Sequence, residues 1–240
     1  MDGQRAHRRR YREKRLMKVF VGWDSREDIA YQVCKHSILS KQPAAEVIPL
    51  KQNELREQEL YWRDVDKLAS TEFTFTRFLI PELADYKGWA LFMDCDMILT
   101  TDIKELFDQV DDKYAVMCVQ HDYTPREGVK MDGQTQTVYP RKNWSSVMLI
   151  NCDHPSNRAV TKDLVNDPEI TGAYLHRFSW LKDEEIGELD HTWNYLVGVY
   201  NDIETPKLIH YTEGGPWFEN YRNCEKHNLW KQELWHMMQK

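Results

Sequence analysis

Short apolar runs recur along the chain, each closed by a turn signal or by a change of period. KVFVGWD (18–24) is an apolar strand ending in a glycine-containing turn. From Arg26 to Lys41, Ile29, Val33, Cys34 and Ile38 recur at helical spacing, and Pro43 closes the element. AEVIPL (45–50) reads as a second strand, so the chain opens as strand–helix–strand, the start of a right-handed parallel unit. Residues 51–69 are polar, with Tyr61 and Trp62 as packing points. Phe75, Phe78 and Leu79 then share a helical face, and Pro81 is expected to bend or end that helix. WALFMDCD (89–96) is short and apolar, as central strands of covered sheets are. A short helix over 102–108, opened by Asp102, leads to strands at 114–120 and 145–151.

The stretch 121–144 between those strands is long for a compact domain, which points to an ordered binding surface built on Tyr123, Tyr139 and Trp144. A helix from about Ser156 follows, then WNYLVGVY and KLIHY. The pattern ends with Trp230, Leu234, Trp235 and Met238 on one face of a helix expected to pack back on the body.

Composition narrows the class. With 240 residues and 41% hydrophobic content, the chain can hold one sizeable domain, placed at 18–240 with its C-terminal helix. No apolar run is long enough to span a bilayer, and no secretory signal precedes the body. Five scattered cysteines without CxxC spacing fit free thiols in a reducing, cytoplasmic setting. Net charge is −7, yet residues 1–17 carry Arg5, Arg8, Arg9, Arg10, Arg12, Lys14 and Arg15 against Asp2 and Glu13. That basic segment reads as a disordered extension, with peripheral contact between residues 5–15 and the inner face of an anionic membrane as the functional alternative. The acidic body argues against nucleic acid as a partner.

The chemistry centres on Asp94 and Asp96, which flank Cys95 where an apolar strand ends. Ligands collect beyond the carboxyl ends of strands in open α/β sheets. Two carboxylates two residues apart in extended backbone reach the same way, and hard oxygen ligands suit Mg²⁺ or Mn²⁺. A solvated acidic turn is the competing reading.

TRFLIPELADYKGWALFMDCDMIL resembles the segment of glycosyltransferase family 8 that reads roughly YxRLxIPELLP…VLYLDxDxIV, with Arg77 seventeen residues before Asp94. NWSSVMLIN resembles that family's FNSGVMLIN strand, HTWNYL its later WN segment, and HYTEGGPW its C-terminal HxxGxxKPW. The resemblance runs in order from about Lys18 to Trp217, and its relatives include glycogenin-like and lipooligosaccharide galactosyltransferase enzymes. It implies a GT-A (Rossmann-like) α/β domain, mostly parallel in its sheet with helices on both faces. It further implies a retaining, metal-dependent transfer from a nucleoside-diphosphate sugar, UDP above others, to a glycan or glycolipid hydroxyl.

Carried over by resemblance, Asp94, Asp96 and His210 hold Mn²⁺ or Mg²⁺. Arg77 contacts the donor sugar and orients the metal loop; Asp24, Ser25 and Tyr31 face base and ribose; Cys95, Gly214, Gly215 and Trp217 line the donor. Two departures stand out. The lysine before Pro-Trp is absent, so the two glycines offer backbone N–H groups or a loop cation substitutes. The family's DQD run resembles Asp183-Glu184-Glu185, which casts Glu184, beside Asp183, as nucleophile or charge stabiliser at the anomeric carbon or else as an acidic helix start. A catalytically weakened carbohydrate- or nucleotide-binding protein of the same fold, and a Mg²⁺-dependent nucleotidyltransferase, are the alternatives; the latter lacks a phosphate-binding GxxxxGK[ST] loop.

Overall fold

The computed structural model describes residues 16–64, 69–122, 129–130, 134–135, 141–200 and 204–239. The basic segment 5–15, Tyr123 and Tyr139 lie outside that range.

A six-stranded sheet forms the centre, in the order β2-β1-β3-β8-β5-β9. Its members are β1 (Lys18–Gly22), β2 (Glu46–Leu50), β3 (Trp89–Met93), β5 (Val116–Cys118), β8 (Val147–Asn151) and β9 (Ile186–Glu188). β1 pairs in parallel with β2 and β3, and β5 with β9, whereas β8 runs antiparallel between β3 and β5. The central strands β3 and β8 are buried at every position, which is why they read as unbroken apolar runs. β2 is an edge strand, where the missing N–H of Pro49 costs no ladder bond on the open side. At the end of β1, Gly22 makes room for the Phe73 ring, which a Cβ would meet at 2.5 Å.

The helix Asp28–Lys41 joins β1 to β2 and buries Tyr31, Val33, Cys34 and Ile38. Pro81 does not end a helix as its position suggested. A 3-10 turn over Thr76–Leu79 passes into the helix Ile80–Leu83, and Pro81 lies in its first turn, where a missing N–H leaves no bond unmade. The strand expected through Asp96 stops at Met93, and the chain bends at 95–96 before re-entering a second sheet. That sheet has the order β10-β11-β4, from β4 (Met97–Leu99), β10 (Tyr195–Leu196) and β11 (Leu208–His210). Within 121–144, β6 (Val129–Lys130) and β7 (Gln134–Thr135) form an antiparallel pair. No helix among the described residues is long and apolar enough to cross a membrane.

The C-terminal helix His227–Met238 does pack on the body, but through a different face from the one expected. Trp230 is buried, and Leu234 and Met237 join it against Ile98, Ile209 and Tyr211. Trp235 and Met238 point to solvent, 58% and 72% exposed. The packed residues follow i, i+4, i+7, and this stripe excludes 235 and 238. Trp230→Ala is therefore expected to cost about 3–5 kcal/mol in a denaturant melt, while Trp235→Ala stays within about 0.5 kcal/mol of wild type.

Candidate active site

Two backbone facts assemble the site. β3 delivers Asp94 at its carboxyl end, where the Asp94 N–H donates to the Ser146 carbonyl (3.0 Å). β11 pairs with β4 in the register that sets His210 opposite Met97, and the Tyr211 N–H donates to the Asp96 carbonyl (2.9 Å). One ligand atom each from Asp94, Asp96 and His210 then lie within 4.8 Å of one another. His210 Nε2 stands 3.3 Å from Asp96 Oδ2. Two carboxylates and an imidazole, nearly shut from water, make a donor set that fits a divalent cation.

Arg77 is 5% exposed, and its guanidinium is spent inside the protein. Its Nη1 donates to Asp94 Oδ1 (2.8 Å) and to the Ser145 carbonyl (2.9 Å), and the group lies over the rings of Phe73 and Phe92. Arg77 thus fixes the Asp94 carboxylate. Behind it, Ser145 Oγ meets His176 Nδ1 at 2.6 Å. Burial, then the charges of Arg77 and Lys142, push His176 well below the usual imidazole range, so its ring is neutral.

The loop after β1 is acid-rich, and its groups are placed differently from one another. Asp24 is fully buried and clamped by Arg26, Nε to Oδ1 at 2.9 Å and Nη2 to Oδ2 at 2.7 Å, with the Glu72 N–H on Oδ2 as well. Ser25 bonds Glu72 through both its hydroxyl and its N–H. Tyr31 is buried in the core, where burial raises its hydroxyl to about 12. Cys95 is likewise buried, its thiol raised well above the ordinary range. Gly214 has φ of +138° and gives its N–H to the Tyr211 carbonyl, so that amide does not face a diphosphate. Gly215 yields its Cβ space to the Trp217 ring, which packs against Tyr211, Phe218 and Trp230.

Asp183 and Glu184 are not brought to the metal ligands. They precede β9, whose direction matches β3, and the Glu185 carbonyl accepts from the Ala115 N–H. That is the amino edge of the sheet, opposite Asp94 by the length of a five-residue strand, roughly 16 Å. Asp183 pairs with Arg141 (2.6 Å), and Glu184 is solvent-exposed.

On the same edge as Asp94, a cleft of about 480 Å³ opens at the carboxyl ends of β5 and β9, lined by Gln120, Asp122, Glu188, Asp190, His191 and Tyr200 among others. His121 Nδ1 lies 2.6 Å from Tyr200 Oη. Burial and the neighbouring His210 and His191 push His121 down to about 3, which keeps it neutral beside the cleft residue Tyr200. Trp144 supports this wall, its Nε1–H donating to the His121 carbonyl (3.1 Å).

Sequence reading missed Asn194, Glu27 and the cleft acids. Asn194 lay within a segment already singled out, HTWNYL, but only its ring of contacts separates it from an ordinary buried amide. Glu27 carries no signal in the sequence; an acid beside Asp28 at a helix start is unremarkable.

These features define a GT-A glycosyltransferase. The description "Glycosyl transferase family 8" matches residues 30–221, and the chain belongs to that family. Protein CDI of Arabidopsis thaliana is 54% identical over 228 residues, spanning 92% of this chain and 87% of that protein. Among solved structures, the glycosyltransferase GlyE of Streptococcus pneumoniae TIGR4 superposes with a TM-score of 0.63 at 15% identity over 91% of this chain, which spans 60% of GlyE. The galactosyltransferase LgtC, crystallised with donor and acceptor sugar analogues, gives a TM-score of 0.54 at 11% identity over 92% of this chain and 96% of its own.

Glu27, 2% exposed, supplies a test of this electrostatic arrangement. Burial, reinforced by Asp96 and Asp24, pushes its carboxyl from an ordinary 4.5 up to about 8. The folded state therefore holds this proton more tightly than the unfolded chain. The stability is intact below about pH 4.5 and is lost as pH rises toward 8. Glu27→Gln in metal-free protein should raise Tm at pH 8 and change it little at pH 5. An equal effect at both values would contradict a buried, protonated Glu27.

Proposed function

We propose that the chain transfers a sugar, with retention, from a nucleoside-diphosphate donor (UDP above others) to a hydroxyl of a glycan or glycolipid acceptor. The observation that carries this is the convergence of Asp94, Asp96 and His210 at the carboxyl edge of β3 in a family 8 fold. These three residues would hold Mn²⁺ or Mg²⁺. When bound, such an ion supplies Lewis-acid neutralisation of the charge on a departing diphosphate. Arg77 holds and aims the Asp94 carboxylate, and Trp144 braces His121 beside the cleft residue Tyr200. The cleft is the acceptor's place in this reading. LgtC, of the same fold, is the precedent for donor and acceptor held together.

With Asp183 and Glu184 at the far edge, no role at the anomeric carbon is proposed for them. Residues 18–240 form the catalytic domain in this proposal. The five cysteines are scattered along the chain without CxxC spacing, which suits a reducing, cytoplasmic setting in this proposal. The basic segment 5–15 enters as a contact for an anionic lipid surface.

Thermal-shift and calorimetric titration with UDP, UDP-sugars and other nucleotide sugars, with and without Mn²⁺, checks the core of the proposal. UDP-sugars should stabilise the wild type in a Mn²⁺-dependent way, and the Asp94→Asn/Asp96→Asn double variant should lose that stabilisation while remaining folded. Equal stabilisation of the double variant, or no response to any nucleotide, would sink it.

A further inference from the structure

Resting on the metal reading above, we infer that Asn194 is a positioning residue: it sets His210 in the tautomer whose Nε2 lone pair faces the cation. The assignment follows from which atoms can donate. Ser146 Oγ lies 2.6 Å from the Asn143 carbonyl, which only accepts, so the hydroxyl proton points there. Ser146 Oγ is then the acceptor for Asn194 Nδ2 at 2.9 Å, and the same Nδ2 lies 3.4 Å from the Asn143 carbonyl. Flipping the amide would turn its oxygen toward that carbonyl. The amide oxygen therefore faces His210 Nδ1, at 2.9 Å. An oxygen acceptor there requires the proton on Nδ1, and a neutral imidazole protonated on Nδ1 carries its lone pair on Nε2.

Burial makes this chain of bonds decisive. Asn194 is 0%, His210 2% and Ser146 3% exposed, so bulk water is not on hand to substitute for a lost partner. Its far end is anchored by backbone, because Asn143 is held at φ of +63° where the 3-10 turn Trp144–Ser146 begins. The opposite ring nitrogen, Nε2, points at Asp96 Oδ2. With the proton on Nδ1, two acceptors face each other across 3.3 Å, an arrangement that a cation between them satisfies.

Histidine-selective ¹⁵N labelling and long-range ¹H–¹⁵N spectra of metal-free protein at neutral pH read the tautomer directly, and calorimetry reads Mn²⁺ affinity. Wild-type His210 should show the Nδ1–H form. Asn194→Ala should shift the ring toward Nε2–H and weaken Mn²⁺ binding about 10–100-fold, the usual effect of removing the partner of a ligating histidine. Asn194→Asp keeps an acceptor at that position and should bind Mn²⁺ at least tenfold more tightly than Asn194→Ala. Should Asn194→Ala fail to fold, Ser146→Ala, which removes the hydroxyl holding the amide, is expected to move both readouts in the same direction. A wild-type ring that carries its proton on Nε2 and none on Nδ1 would overturn the inference, as would equal Mn²⁺ affinity in Asn194→Ala. A wild type that binds no Mn²⁺ overturns the metal reading itself, whereas binding that ignores the Asn194 amide overturns only this inference.

Discussion

The site depends on the register of one short strand. β11 lies antiparallel to β4 with His210 opposite Met97, and this alone brings a residue more than a hundred positions along the chain to the side of Asp96. A slip by one residue would send the imidazole to the other face of the sheet, because side chains alternate along a strand. The pairing is only three residues long, so it is specified by what packs on it. Ile98, Ile209, Tyr195 and Tyr211 form a second core, closed by Trp230 from the C-terminal helix. Ser37 ties the first long helix to the same strand by accepting the Leu99 N–H (3.0 Å). Structure remote from the ligands thus fixes where the ligands are.

The neighbourhood concentrates negative charge, and the protein balances it group by group. Arg26 clamps Asp24, and Arg77 reaches Asp94 from beneath. At Glu27, burial and the charges of Asp96 and Asp24 outweigh the attraction of Arg26, and the carboxyl is balanced by a proton instead. Both arginines sit against backbone carbonyls, those of Ser70 for Arg26 and Ser145 for Arg77, so neither is easily drawn away. Breaking a buried pair of this kind leaves a charge in a poorly solvating place, which gives the acids a fixed geometry. His121 and His176 are kept neutral by the same burial, so the walls add no competing positive charge.

Much of this could be read from the chain itself. The apolar runs at 18–22, 89–93 and 147–151 announced the central strands, because strands covered on both faces need no polar alternation. The aspartate pair at the end of one run marked the ligand edge, and the ordered motifs down to HYTEGGPW brought His210 beside it as an expectation. Local periodicity failed where two faces of a helix were both aromatic-rich: Trp235 looked as core-like as Trp230, and only packing against Ile209 and Tyr211 separates them. Pro81 failed for a related reason, since a proline marks a helix start as well as an end.

What the sequence by itself determined is the order of the elements, the identity of the buried strands and the presence of two carboxylates where one of them ends. Those follow from the local period of burial and from chemistry confined to a few neighbouring residues. Only the tertiary structure decided which distant groups join them. Strand direction carried Glu184 to the far edge, a side chain's partners turned Arg77 toward Asp94, and a chain of buried donors and acceptors selected Asn194. Each of these is a relation between residues far apart in sequence, and neither spacing nor residue type encodes such a relation until the sheet is paired.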